Sequence, residues 1–125
     1  MATVNLIQSK RSQSKAGLKF ILSYCKRDSK TVCGDKKLIG GVNCVAESAY
    51  HEMLSTKMRY GKTDGRMFYH LVQSFSPEEN ITPETAHEIA LKFAEREFPE
   101  YEVLVATHTD KAHIHSHFII NSVSC

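Results

Sequence analysis

No stretch of this 125-residue chain is apolar for long enough to span a bilayer. Residues Met1 to Asn5 lack the basic start and long apolar run of a secretory signal. The expected compartment is therefore the cytoplasm. No internal repeat is visible, and the length suits one domain with a single core. Four cysteines are present, Cys25, Cys33, Cys44 and Cys125, but no two stand in a C-x-x-C spacing. A thiolate zinc site thus has little support, and in a reducing compartment the four are expected as thiols rather than disulfides.

The net charge is only +2, yet it is unevenly spread. Residues 1–37 hold Lys10, Arg11, Lys15, Lys19, Lys26, Arg27, Lys30, Lys36 and Lys37 against Asp28 and Asp35, a local charge of +7. The rest of the chain carries −5. A molecule polarised in this way can turn one basic face toward a polyanion, although a solvated surface would look the same.

Periodicity places the elements. Val4 to Ile7 reads as a short strand. Leu18, Ile21, Leu22 and Cys25 recur at helical spacing, which predicts a helix from about Ser14 to Lys26. Residues 27–41 show no period and read as a loop or marginal hairpin. Tyr50, Met53 and Leu54 mark a second helix over about 47–60, stopped by Gly61. Met67 to Phe75 is apolar on both faces, as in a central strand. Thr82-Pro83 is a good helix start, followed by the stripe Ala86, Ile89, Ala90, Phe93 and Ala94. Glu102 to His108 and His113 to Val123 read as two strands joined by four residues, hence an antiparallel hairpin. The sum is an α+β fold with a largely antiparallel central sheet and helices packed on one face. The chain stops directly after a strand, so it is read as the N-terminal part of a longer domain.

The most informative feature is a cluster of four histidines within ten residues: His108, His113, His115 and His117. Strand residues two apart share a face, so the last three point one way, with Asn121 joining them. Ile114, Phe118 and Ile120 make the opposite face apolar, with Ser116 as an exception. A four-residue loop would set His108 opposite His113 on the histidine face. Imidazoles converging from adjacent strands suit a borderline divalent metal, and three of them with an open position describe a catalytic site. A row of exposed polar side chains explains one such histidine but not four in alternation.

The string His108-Thr-Asp110-Lys-Ala-His113-Ile-His115-Ser-His117-Phe-Ile-Ile-Asn121 resembles the third motif of mobilisation-nuclease relaxases of the MOBP type, within the HUH endonuclease group. Met67 to Phe75, Thr82 to His87 and Tyr60 to Arg66 are also similar to these proteins, so the resemblance covers nearly the whole chain. It implies a sheet displaying the histidines, and a tyrosine that attacks a phosphodiester at a transfer origin during mobilisation of a plasmid or transposon in a bacterial cell. Tyr24 matches the place of the family's nucleophile. His108, His115 and His117 match its ligand spacing, and Asp110 its acidic position. His113 is additional, as a fourth ligand or a proton carrier. The implied cofactor is Mn²⁺ or Mg²⁺, with Zn²⁺ or Ni²⁺ in the isolated protein. The implied partners are single-stranded DNA at the origin and accessory mobilisation proteins. Family domains run further than this chain.

A phenol ordinarily ionises near pH ~10, so a tyrosine nucleophile needs help, and Lys26, Arg27 or the metal are candidates for giving it. Lys10, Arg11 and Lys15, with Lys26 and Arg27, are the expected DNA contacts. The competing readings are a rolling-circle replication initiator and a non-catalytic module binding metal or single-stranded DNA.

Overall fold

The computed structural model describes residues 3–7, 13–27, 31–33, 36–109 and 113–125. Its elements in chain order are β1 (Thr3–Ile7), α1 (Lys15–Cys25), β2 (Val32–Cys33), β3 (Lys36–Lys37), β4 (Ile39–Val42), α2 (Ala49–Arg59), β5 (Phe68–Phe75), α3 (Pro83–Glu97), β6 (Val103–His108) and β7 (Ile114–Asn121). One short 3₁₀ turn, Ala46–Ser48, leads into α2, and another, Pro77–Glu79, follows β5. Strands β1, β5, β7, β6 and β4 form one sheet in that order, and β2 pairs with β3 beside it. Every pairing is antiparallel. The α+β class and antiparallel sheet are thus as expected.

Local chemistry accounts for the helix starts. The Ser14 hydroxyl accepts from the Gly17 N–H at 3.0 Å at the start of α1. Thr82 accepts from the Thr85 N–H at 3.2 Å, and Pro83 stands where its missing N–H costs nothing. Helix α2 ends where Gly61 takes a φ of +67°, a conformation open to glycine at little cost.

The helices divide between the two faces of the sheet. On one face, Leu18, Ile21, Leu22 and Cys25 of α1 and Ala49 and Met53 of α2 bury against Leu104, Ala106 and Ile119. On the other, Ala90 and Ala94 of α3 meet Val103, Val105, Phe118 and Ile120. Packing on one face, read from sequence, becomes packing on two because the central strands are apolar on both sides. Each buried Leu, Ile or Phe contributes roughly 1.5–3 kcal/mol. The row of small residues Ala86, Ala90 and Ala94 lets α3 approach closely, while Ile89 falls off that row and stays exposed. Strand β4, Ile39-Gly-Gly-Val42, lies in the stretch read as loop or marginal hairpin; its two glycines hide the strand pattern.

Candidate active site on the histidine face

The register of the sheet builds the site. His108 pairs with His115 and Ala106 with His117. Alternation then sets His108, His115, His117, Ile119 and Asn121 on the face that α1 and α2 cover. His108 and His117 lie close, with ring centroids 4.1 Å apart, and His115 is 6.5 Å from His117. The pairing of His108 with His113 expected from sequence does not occur. The strands stop at His108 and resume at Ile114, so five residues connect them and the register shifts. His113 stands exposed before β7, its ring 6.2 Å from that of His115.

A further histidine arrives from β5. His70 pairs with Ile119 and therefore shares the same face. Its Nε2 lies 2.8 Å from His117 Nδ1, so one of the two nitrogens donates to the other. Burial, and secondarily the charge on His108, pushes the His70 pKa down to about 4.

Helix α1 closes over this cluster. The Nε2 of His108 is 3.1 Å from the carbonyl oxygen of Cys25 in the last turn, where helix carbonyls lack internal partners. A carbonyl only accepts, so Nε2 carries a proton and donates it to Cys25 O. Tyr24, one residue back, is half-buried. Its ring meets His108 edge-on at 6.5 Å and stacks on Phe20 at 6.2 Å. The Arg27 guanidinium lies 4.9 Å from the Tyr24 ring centroid. The thiol of Cys25 and ring nitrogens of His70 and His117 all fall within 4.8 Å of one another. Imidazole nitrogens grouped this closely, with a thiol, fit a borderline divalent metal.

The cationic residues are dispersed. Arg27 is exposed beside Tyr24. Lys26 is half-buried, its ammonium donating to the Ala46 carbonyl at 3.1 Å. Lys15 opens α1, nine residues before Tyr24, which on a helix is roughly 14 Å away. Lys10, Arg11 and Asp110 lie outside the described residues. Two supports stand behind the site. On the reverse face, His87 Nδ1, Thr107 Oγ1 and Ser116 Oγ form a chain of 2.9 Å contacts across the paired positions next to His108 and His115. At the far end of β7, the Lys57 ammonium donates to Asn121 Oδ1, to Met67 O at 2.6 Å and to Ser122 Oγ at 2.9 Å.

Sequence reasoning singled out neither His70 nor the thiol of Cys25 as part of the site. The available signal was a lone histidine inside a largely apolar strand, and a cysteine adjoining Tyr24. Among the described residues, no helix is long and apolar enough to cross a membrane, and Cys25, Cys44 and Cys125 form no disulfide.

Comparison with known proteins matches residues 24–125 to the family described as Relaxase: MobA/VirD2-like, nuclease domain. A Protein rlx of Staphylococcus aureus is 43% identical over 83 residues, which is 66% of this chain and 26% of that protein. Another Protein rlx of the same species is 40% identical over 82 residues, 66% of this chain and 24% of its own length. The Group II intron-interrupted relaxase LtrB of Lactococcus lactis subsp. cremoris (strain MG1363) is 47% identical over 64 residues, 50% of this chain and 11% of its own length. The matches thus span about a quarter or less of these relatives. No solved structure matches the chain. The matched segment begins at Tyr24 and takes in every histidine of the cluster, and the chain belongs to the MobA/VirD2-like relaxase nuclease family.

Proposed function

We propose that this chain carries the DNA-nicking centre of a relaxase, acting on single-stranded DNA at a transfer origin during mobilisation of a plasmid or transposon in the bacterial cytoplasm. The observation that carries the reading is the docking of the last turn of α1 on the histidine face, with Tyr24 against His108. His108, His115 and His117 would hold the metal. A divalent ion, Mn²⁺ or Mg²⁺, supplies Lewis acidity toward the non-bridging phosphate oxygens when bound.

Tyr24 is the nucleophile in this scheme. Its Oη forms a bond to phosphorus, the bond from phosphorus to the 3′ oxygen breaks, and the leaving oxygen takes a proton to become a 3′-hydroxyl. The 5′ phosphate stays on the tyrosine, so the bond energy is conserved and the strand can be rejoined. Asp110 and His113 are the groups proposed to take up the phenol proton. Arg27 beside the ring supports the phenolate and meets the phosphate. Holding α1 against the sheet fixes the direction of attack.

The test is an origin oligonucleotide incubated with Mn²⁺ and the protein, followed by denaturing electrophoresis and peptide mapping. A covalent adduct on Tyr24, lost in Tyr24→Phe, is expected. An adduct on Tyr50 or Tyr60, or an undiminished adduct in Tyr24→Phe, would overturn the assignment.

A further inference from the structure

We infer that Cys25, His70 and His117 form a three-ligand site for a thiophilic divalent cation of the zinc class, sharing His117 with the all-histidine set. Three elements converge to make it. Strand β5 brings His70, β7 brings His117, and the last turn of α1 brings Cys25. Their ligand atoms already lie within 4.8 Å of one another. A tetrahedral ion with bonds of about 2.0–2.3 Å separates its ligand atoms by roughly 3.3–3.6 Å. The thiol therefore has at most about an ångström to move inward. The nitrogens of His70 and His117, 2.8 Å apart, have to open by roughly half an ångström.

The donor set decides the metal. A thiolate with two imidazoles favours zinc, cobalt and nickel over Mg²⁺ and Mn²⁺, which prefer oxygen. Coordination expels the Cys25 thiol proton to water, while whichever of His70 and His117 donates in their hydrogen bond moves its proton to its other ring nitrogen, so that each presents a lone pair as a neutral imidazole. Cys25 and His70 are buried, so charges meeting there interact with little screening. Because His117 belongs to both ligand sets, one ion at a time occupies the face. An ion on Cys25 also ties the last turn of α1, and with it Tyr24, to β5 and β7. This coordination stands whether or not Tyr24 is the nucleophile, and it is read by spectroscopy rather than by nicking.

The experiment is titration of the metal-stripped protein with Co²⁺ as a spectroscopic stand-in for Zn²⁺. The wild type should develop a thiolate-to-cobalt charge-transfer band in the near ultraviolet at one equivalent, bleached by added Zn²⁺. Cys25→Ser should lose that band. Cys25→Ala serves equally if a buried hydroxyl unfolds the chain, as judged by circular dichroism. His70→Gln should weaken Zn²⁺ binding about tenfold or more. Cobalt bound with visible bands but no charge-transfer band, a band that survives in both cysteine variants, or no uptake of cobalt would each overturn the site.

Discussion

The Lys57 ammonium, with no exposure to solvent, is hydrogen-bonded to the side-chain oxygen of Asn121, four residues beyond His117 on β7. It also donates to Met67 O and Ser122 Oγ, while the Asn121 amide donates to Met53 O at 3.1 Å and to Glu102 Oε1 at 2.9 Å. This network fastens α2 to the ends of β5, β6 and β7. Lys57→Met keeps the volume but leaves several buried acceptors without a donor and Glu102 without its nearby cation. A loss of about 3 kcal/mol is expected, as for a buried charge deprived of its partner. Urea unfolding measures it, and a loss under about 1 kcal/mol would mean the network is not a structural clamp.

The same lysine gives a pH dependence. Burial lowers its pKa from 10.5 to about 8, opposed by the charge of Glu102. Below the lower value both folded and unfolded chains hold the proton, and the burial cost is carried in full. Between the two values the unfolded chain keeps a proton that the folded chain has shed, so stability rises with pH across that window. Cys44 acts oppositely. Burial first, then Glu52 and Glu102, push its thiol from 9.0 up to about 12, so stability falls with pH between those values. The difference between wild type and Lys57→Met isolates the lysine. Unfolding midpoints from neutrality to pH ~10 should rise more, or fall less, in the wild type. Parallel profiles would refute the lysine's part.

The hairpin and the helix starts were legible in sequence because their signals are local: Thr82-Pro83 opens α3, and alternation marks β7. The register was not. Two more residues between the paired positions replace His113 by His115 opposite His108, and the turn residues do not fix their own number. His70 reaches the site through pairing of β5 with β7, forty-seven residues away, which no local pattern announces. Lys57 looks like any helix-surface lysine until α2 is folded onto the strand ends. The histidine string itself was legible because His113, His115 and His117 alternate with other residues along one strand, a pattern that packing alone does not impose.

The spread of the cations sets an order for DNA binding. Arg27 is exposed beside Tyr24. Lys92 and Arg96 are exposed on α3, across the sheet from α1. Arg27→Glu should therefore weaken binding of a single-stranded oligonucleotide far more than Lys92→Glu or Arg96→Glu. It should also lower the slope of log affinity against log salt by about one. Fluorescence anisotropy at several salt concentrations reads both. Equal losses from the two faces would show that the DNA does not pass over α1.

The shifted register also separates His113 from His115. His115 is half-buried in β7, directly opposite His108, and its ring is 6.5 Å from that of His117. His113 lies outside the strand and is exposed. If His108, His115 and His117 hold the ion that serves nicking, His115→Ala removes one ligand of three and should lower Mn²⁺ affinity by at least the 10–100-fold seen on loss of a supporting residue. His113→Ala should leave that affinity within about threefold, since its ring is not held in the sheet. A role as proton carrier would instead appear as a slower nicking step at saturating metal, restored in part by added imidazole. Calorimetric titration with Mn²⁺ gives the first quantity and single-turnover nicking the second. Loss of metal in His113→Ala, with His115→Ala unaffected, would mean that the ion sits toward the hairpin loop and not between the paired strands.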